Sequence, residues 1–335
     1  MPGEVIVFAR RRFLYLTQRQ VHDLRPTYGE IIELVEMSLR DKANGRADMP
    51  SKIAIHPRKE QFVHAKPGYL GTPDVAGIKW QSNIATNPER RLPNNIGVMI
   101  LTEPVDGSTR AIMDCSWITG FRTPAATMVA IKHLARAKAS IVSIIGLGMQ
   151  GQGHFDALIE SGVVAQLKTI KVIDKSKEAL ARFIRRAKKV SRFEVVACAT
   201  AREAIEDSDI VISCTALYEN PKGIVRPEWL KEGVLALPVD IGCYWTRQSR
   251  RIMDRIFTDD IEQTQSFAKR NFFDERKVRL DAELCEVVAG KRKGRRSDRE
   301  KIMCINCGLS LYDIALAERI YERAIAKNAG RWLPW

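Results

Sequence analysis

The sequence has no apolar run long enough to span a membrane in its 335 residues, so it predicts no membrane partner. Its beginning, MPGEVIVFARRRF, has too short an apolar stretch for a secretory signal peptide, and arginines follow that stretch instead of preceding it. The 7 cysteines are odd in number and scattered, which argues against a disulfide framework. These absences together favour a cytoplasmic protein.

A metal site and a nucleic-acid partner also lack support. Cys304 and Cys307 form one CxxC pair, but no second pair of ligands is spaced to complete a zinc site. The net charge is +14, yet the basic residues fall in separate stretches, ARRRF, RFIRRAKK and GKRKGRR, near predicted helices or loops. Because nucleic-acid-binding proteins gather basic residues on one face with interleaved aromatics, we interpret these stretches as solvated surface and expect neither partner.

A glycine-rich turn stands between a predicted strand and a predicted helix. Residues 140–145, SIVSII, are rich in β-branched side chains and lack charge, as buried parallel strands do. Gly146-Leu-Gly148-Met-Gln-Gly151 follows, and helical periodicity then continues to Gly162. In such a turn the first glycine permits a tight bend, the second lets a pyrophosphate approach the backbone, and the third lets the helix pack closely. The stretch therefore predicts a dinucleotide site.

The next predicted strand, LKTIKVID, bears on the choice between NAD and NADP. It ends at Asp174, about 20 residues beyond the glycines, where an acid accepts hydrogen bonds from the adenosine ribose. A carboxylate there repels the 2′-phosphate of NADP and favours NAD. Lys175 and Lys177 follow directly and weaken the preference, so NADP stays open.

Further strands alternate with helices beyond this unit. FEVVACAT, IVISCTA and the end of PEWLKEGVLALPVDIG are predicted strands, which indicates a doubly wound parallel sheet of the Rossmann type. Ligands of such sheets bind at the carboxyl ends of the strands. Thr215, Asp240 and Gly242 stand at such ends.

The first third of the chain is predicted to be a separate α+β segment. It has one helix, TYGEIIELVEMSLRDKANG, and five strands, the last two forming a hairpin around Asp106-Gly107. Lys79 lies inside one of these strands, in the apolar run VAGIKW, and is either an edge-strand residue or a site residue. The stretch from residue 302, IMCINCGLSLYDIALAERIYERAIAKN, is predicted to be a long helix that packs on this segment.

Several stretches taken together resemble the ornithine cyclodeaminase/μ-crystallin family. They are GIKWQSN at 77–83, ITGFRTPAA at 118–126, IGLGMQG at 145–151, and GRRSD at 294–298 leading to NCGLSLYDIA at 306–315. Their order and spacing hold from about residue 20 to 325. The RTxAA element, with glutamine inside the glycine turn, is far more specific than GxGxxG alone.

The resemblance implies an α/β fold in which a Rossmann-type sheet is inserted into an α+β substrate and dimerisation domain. On this basis the first domain comprises 1–124 plus 305–335, and the NAD-binding domain comprises 125–304. Members bind NAD(P) and act on small amino acids or their imines. The resemblance further implies a homodimer.

Site residues carry over from the family by position. Arg46, Lys79 and Arg122 match the cations that bind the substrate carboxylate, and Lys79 then becomes a buried cation awaiting an anion. The predicted cofactor contacts are Asn83, Thr123, Gly146, Gly148, Met149, Gln150, Gly151, Asp174 and Thr215. Lys79 and Asp240 are the predicted catalytic residues, for proton transfer and for contact with the substrate amine or a water.

Two departures from the family pattern bear on the substrate. The cyclodeaminases carry Gly-Gly-Asp-x-Pro-Gly-Lys after the Rossmann core, whereas this sequence reads LPVDIGCYWTR, with Tyr244, Trp245 and Arg247 in place of Pro-Gly-Lys. Lys66 replaces what is commonly methionine. Added cations suit a second carboxylate better than the second amine of ornithine, so Lys66 joins the predicted substrate residues.

Three functions stay open at this point. The preferred one is an amino-acid dehydrogenase or imine reductase. The alternatives are an ornithine cyclodeaminase that forms proline and ammonia with catalytic NAD, and a non-catalytic binding protein of the μ-crystallin kind.

Overall fold

The computed structural model describes residues 12–58, 61–84, 86–217 and 219–334, and of residues 88 and 89 the backbone only. Glu60 of one predicted strand and most of the N-terminal stretch MPGEVIVFARRRF lie outside the described residues. None of the described helices is long and apolar enough to cross a membrane.

The described residues form helices in the following chain order. They are α1 Gln18–Asp23, α2 Tyr28–Ala43, α3 Ser116–Leu134, α4 Met149–Ser161, α5 Lys177–Val190, α6 Ala201–Ile205, α7 Arg247–Arg251, α8 Ile261–Lys269, α9 Leu284–Val288 and α10 Ser310–Ala326.

The strands follow in the same order. They are β1 Arg12–Leu16, β2 Ala47–Asp48, β3 Ile53–Ile55, β4 Gln61–Leu70, β5 Val75–Ile84, β6 Asn95–Thr102, β7 Thr109–Asp114, β8 Ile141–Ile145, β9 Thr169–Ile173, β10 Glu194–Ala197, β11 Ile210–Ser213, β12 Leu235–Pro238, β13 Arg255–Thr258, β14 Ala282–Glu283, β15 Ile302–Ile305 and β16 Arg331–Pro334.

The chain divides into two compact units. Of the described residues, the first unit comprises those in 12–26, 46–119 and 310–334, and the second comprises those in 27–45 and 120–309. Two of the four divisions, at 119/120 and 309/310, lie near the boundaries predicted from the sequence, whereas residues 27–45, which include helix α2, group with the second unit. Which unit takes the cofactor and which the substrate stays a prediction.

The first unit is built on a mixed sheet in the order β16-β1-β7-β6-β5-β4-β2, with β3 also on β4. All five strands predicted for this segment are present, and β6 and β7 form the predicted hairpin, with Gly107 at a φ of +73° in its turn. Strand β5 lies between β4 and β6, so Lys79 is not an edge-strand residue.

Helix α10 packs on β4, β5 and β6 at a place where two strands offer no side chains. Gly68 and Gly77 lie opposite each other in the register of β4 and β5. A Cβ on Gly68 would lie 2.7 Å from Ser310 Oγ, and a Cβ on Gly77 would lie 3.4 Å from Ile314 Cγ1. This close approach brings the first turns of α10 onto the sheet.

The second unit contains a parallel sheet in the order β10-β9-β8-β11-β12-β15-β13-β14. The chain leaves β8 in one direction through β9 and β10, and later continues on its other side from β11. The edge beyond the carboxyl ends of β8 and β11 is therefore the switch point at which such sheets bind ligands. The doubly wound sheet predicted from the sequence is present.

One predicted element is wrong in part. Residues 302–305, IMCI, belong to the long C-terminal helix in the sequence-based prediction, but they form β15, which pairs with β12 and β13. A short apolar run fits a buried strand or a buried helix equally well, and its place inside the sheet decides. The helix itself begins at Ser310.

Candidate active site

The turn between β8 and α4 has the backbone shape that its glycines predict. Gly146 has a φ of +89°, and a Cβ there would lie 2.7 Å from the carbonyl oxygen of Cys214. A Cβ on Gly151 would lie 1.9 Å from the carbonyl oxygen of Gly146, so the helix packs on the turn with no room for a side chain. Helix α4 ends as predicted, with Gly162 in the left-handed region at a φ of +63°.

Gly148 differs from these two glycines. It precedes the first residue of α4, has a φ of −70°, and a Cβ placed on it would meet nothing within 4 Å. The unpaired N–H groups at the start of the helix, together with the helix dipole, favour an anion at this position. The open space at Gly148 therefore fits a pyrophosphate that approaches the backbone.

Asp174 stabilises the turn between β8 and α4 through hydrogen bonds to backbone N–H groups. Its carboxylate accepts a hydrogen bond from the N–H of Leu147 at 2.7 Å and another from the N–H of Ser176 at 2.8 Å. The side chain thereby fixes the backbone between the first two glycines. It also lies at the end of β9, where the sequence predicts contact with a ribose.

A polar layer that the sequence did not predict lies behind the turn. His154 on α4 is fully buried, its Nδ1 lies 2.7 Å from the carbonyl oxygen of Gln150, and its Nε2 lies 2.9 Å from Thr127 Oγ1. Burial lowers the pKa of His154 to about 4, so the ring is neutral at pH 7. Gln150 Oε1 is buried and lacks a hydrogen-bond partner among the described residues, as expected of a group that a ligand would satisfy.

Asp240 lies at the carboxyl end of β12 and is 1% exposed. Its carboxylate accepts a hydrogen bond from Thr215 Oγ1 at 2.8 Å and another from the N–H of Gly242 at 3.2 Å. Burial raises the pKa of Asp240 to about 6, and these hydrogen bonds oppose the rise. The predicted cofactor residue Thr215 and the predicted catalytic residue Asp240 are thus in direct contact, and the carboxyl changes its protonation state near pH 6.

The residues that replace the Pro-Gly-Lys of the family are not all available for a substrate. Trp245 is 1% exposed, and its Nε1 donates a hydrogen bond to Ser213 Oγ at 2.9 Å. Tyr244 packs against the hydrophobic core that contains Trp245. Arg247 forms an ion pair with Glu275 at 3.3 Å and is 45% exposed. The suggestion that Arg247 adds a cation for a second carboxylate is weakened by this pairing.

In the first unit, two lysines face each other on adjacent strands. Lys66 on β4 and Lys79 on β5 are opposite in the register and are 7% and 0% exposed. Lys79 Nζ forms an ion pair with Asp313 of α10 at 2.7 Å and donates a hydrogen bond to Thr119 Oγ1 at 3.1 Å. The buried cation expected from the sequence is present, but it already has an anionic partner within the chain.

Two further predicted residues of the first unit lie elsewhere on it. Arg46 is exposed and comes directly before β2, and its carbonyl oxygen accepts a hydrogen bond from Gly71 N–H at 2.8 Å. Asn83, near the end of β5, donates a hydrogen bond from its Nδ2 to Asn95 Oδ1 at 2.7 Å. Their predicted roles stay predictions.

Arg122 and Thr123 are residues of helix α3 and belong to the second unit. Arg122 is 6% exposed. The carbonyl oxygen of Thr123 accepts a hydrogen bond from Thr127 Oγ1 at 3.3 Å, which places Thr123 in the polar layer behind the glycine turn. Among the residues with described side chains, no group of His, Cys, Asp and Glu could hold a metal ion.

The family model for the ornithine cyclodeaminase/mu-crystallin family matches residues 13–328. The chain belongs to this family. Among curated proteins it is similar to the alanine dehydrogenase of Archaeoglobus fulgidus, with 31% identity over 325 residues, 95% of this chain and 97% of that protein. The family predicted from the sequence motifs is confirmed.

Two solved structures of the same fold are similar over nearly their whole length. One is the Δ1-pyrroline-2-carboxylate reductase of Thermococcus litoralis in complex with NADH and L-proline, with a TM-score of 0.83, 29% identity, and coverage of 95% of this chain and 99% of that one. The other is an archaeal alanine dehydrogenase dimer with bound NAD, with a TM-score of 0.82, 28% identity, and coverage of 96% and 99%. The predicted fold class is confirmed.

Two alanine substitutions separate the glycine that packs on the turn from the one that is predicted to contact the cofactor. We expect Gly151→Ala to lower the free energy of unfolding by about 1–3 kcal/mol or more, because its Cβ overlaps the Gly146 carbonyl oxygen. Gly148→Ala is the matched control, since its Cβ meets open space, and its melting temperature should stay near that of the wild type. NADH titration, followed by nucleotide fluorescence, should nevertheless show weaker binding to Gly148→Ala. Equal melting temperatures for both variants would contradict the geometry of the turn.

Proposed function

We propose that the protein is an NAD(P)-dependent oxidoreductase that acts on the Cα–N bond of a small amino acid or of its imine. The observation that carries this proposal is the open backbone at Gly148, braced by Asp174 and set at the switch point of the parallel sheet. The similar proteins are dehydrogenases and reductases of amino and imino acids. When bound, the cofactor supplies hydride exchange between its nicotinamide ring and the substrate Cα.

The pyrophosphate and the adenosine ribose of the cofactor are assigned to the second unit. The backbone from Gly146 to Gly151, including Met149 and Gln150, would hold the pyrophosphate, and Thr215, Thr123 and Asn83 are assigned to further cofactor contacts. Asp174 favours NAD over NADP because its carboxylate would repel a 2′-phosphate. Two backbone N–H groups, of Leu147 and Ser176, hold this carboxylate in place at the end of β9.

The substrate carboxylate is assigned to Arg46, Lys66, Lys79 and Arg122. Charges that are withdrawn from water interact more strongly with an anion, which favours the three cations that are less than a tenth exposed. Lys79 is held at its Nζ by Asp313 and Thr119, so its ammonium group has a fixed direction for proton transfer. Asp240 is assigned to the substrate nitrogen or to a water, as the group that takes up or gives back a proton.

A substrate panel tests the proposal. L-alanine, L-proline and L-ornithine are each assayed with NAD+ and NADP+, and pyruvate with ammonia is assayed with NADH and NADPH. We expect a net change in nicotinamide absorbance with at least one amino acid or imine, larger with NAD(H) than with NADP(H). Formation of proline from ornithine without net NADH would instead identify a cyclodeaminase. NADH binding without turnover of any substrate would identify a binding protein of the μ-crystallin kind.

Arg122→Ala tests the carboxylate assignment within that panel. We expect KM for the active amino acid to rise and kcat to fall, because the substrate loses both affinity and orientation. NADH affinity should stay nearly unchanged. Arg299→Ala is the control, since Arg299 is 86% exposed and reaches only Glu232 at 3.8 Å among the ion pairs of the described residues. Normal turnover by Arg122→Ala would refute the assignment.

The pKa of Asp240 gives a pH test with a defined sign. The carboxyl loses its proton as the pH rises through about 6, so the rate of amino-acid oxidation should rise over the same range if the carboxylate accepts a proton. Asp240→Asn should lose that rise and lower kcat by about 10²-fold or more. Thr215→Val removes a hydrogen bond that lowers the pKa of Asp240. The rise in oxidation rate should therefore occur at higher pH in this variant. A pH profile of Asp240→Asn that keeps the wild-type rise would exclude this role.

We also propose that the protein is a homodimer that pairs through the sheet face of the first unit opposite α10. Side chains on alternate positions of β1, β5, β6 and β7 make this face apolar, namely Tyr15, Ile78, Trp80, Ile96, Val98, Ile100 and Ile112. Trp80 is 44% exposed and Ile96 is 41% exposed. Large exposed apolar patches mark interfaces, and the similar archaeal alanine dehydrogenase is a dimer.

Light scattering after size exclusion tests the dimer. We expect the wild type to elute as a dimer and Trp80→Asp to dissociate, because a buried unpaired carboxylate in the interface is costly. Val105→Asp is the control, since Val105 is 85% exposed between β6 and β7. A monomeric wild type, or equal behaviour of both variants, would refute the interface.

We propose a cytoplasmic location as well. All 7 cysteines carry thiols, and 6 of them are buried. A reducing compartment keeps cysteines in this form.

A further inference from the structure

Asp259 follows strand β13 directly and is fully buried in the second unit. Its carboxylate accepts two hydrogen bonds from successive backbone groups, from Cys307 N–H to Oδ1 at 2.8 Å and from Gly308 N–H to Oδ2 at 2.8 Å. Burial raises the pKa of Asp259 to about 6, and these two hydrogen bonds oppose the rise. A buried carboxylate with both oxygens on one loop fixes the backbone of that loop.

The loop that Asp259 fixes lies against Arg122. Gly308 has a φ of +84°, and a Cβ placed on it would lie 2.5 Å from Nη1 and 2.9 Å from Nη2 of Arg122. The guanidinium group therefore rests on the bare α-carbon of Gly308. Because the Arg122 side chain is only 6% exposed, this surface limits where its guanidinium can lie.

We propose that Asp259 and Gly308 are positioning residues for the Arg122 guanidinium: Asp259 sets the loop, and the missing side chain of Gly308 sets the place of the guanidinium plane. The inference rests on the proposed function, in which Arg122 binds the substrate carboxylate. A planar, bidentate donor gains from being held before the substrate arrives, since a misplacement of about 1 Å can cost about 10²-fold in rate.

Gly308→Ala is the direct test, because the atoms it displaces are the far end of a flexible side chain. The fold should tolerate it, with a melting temperature lowered no more than that of the control Gly290→Ala. Gly290 also has a positive φ, +73°, but a Cβ there meets nothing within 4 Å, so the control carries the same kind of backbone strain without displacing a neighbour. The crystal structure of Gly308→Ala should show the Arg122 guanidinium displaced from its wild-type position. An unchanged guanidinium would overturn the inference.

Kinetics give a second measurement. With L-alanine, L-proline and L-ornithine as probes, Gly308→Ala should raise KM about 10-fold or more and lower kcat, while NADH affinity stays within about twofold. Asp259→Asn should act in the same direction, because an amide cannot accept a hydrogen bond at its nitrogen. Gly290→Ala should leave both constants near those of the wild type. Equal effects of the two glycine variants would overturn the inference.

A double-mutant cycle with Arg122→Lys separates positioning from a general structural effect. Lysine lacks the Nη atoms that the new Cβ would displace, so Gly308→Ala should have little further effect on KM in the Arg122→Lys background. Additive effects would overturn the positioning role. If Arg122→Lys alone leaves KM unchanged, the proposed substrate role of Arg122 fails instead, and the crystal structure of Gly308→Ala still decides whether Gly308 places the guanidinium.

Discussion

The contact on which the proposed cofactor site depends is one between two stretches of backbone. The α-carbon of Gly151 lies so close to the carbonyl oxygen of Gly146 that a methyl group could not be placed between them. This contact holds the first turn of α4 against the end of β8. The N–H groups that begin the helix then lie beside the open position at Gly148. Asp174, which follows β9, stabilises the turn further because its carboxylate accepts a hydrogen bond from the N–H of Leu147. A ligand with a pyrophosphate fits this backbone, because it needs donors without intervening side chains.

Buried polar groups occur in the second unit at positions where an apolar side chain would cost less free energy to bury. His154, Asp240 and Asp259 each have a pKa that burial moves away from its usual value. These residues form hydrogen bonds, most of them to backbone groups. The hydrogen bonds offset the free-energy cost of burying a polar group and hold the neighbouring backbone in one conformation. In the first unit, Lys79 and Asp313 form a fully buried ion pair that has the same consequence for the ammonium group.

The sequence predicts the local features well and the long-range contacts poorly. The strand, the turn and the helix at 140–162 follow from residue types and spacing within one stretch, and the structure has all three as predicted. Helix α3 is not predicted because its residues are apolar on most sides and Pro124 stands inside it, so it lacks the one-sided period of a surface helix. Strand β15 is mistaken for helix because four apolar residues carry no period of their own. The partner of Lys79, the loop held by Asp259 and the buried position of Trp245 each depend on residues far apart in the chain, and no local pattern indicates them.

A crystal structure with bound NADH tests the central claim most directly. The account predicts pyrophosphate oxygens within hydrogen-bond distance of the N–H groups that begin α4 beside Gly148, and the adenosine ribose hydroxyls on the Asp174 carboxylate. A dinucleotide bound away from this turn, or a ribose that leaves Asp174 without contact, would contradict it.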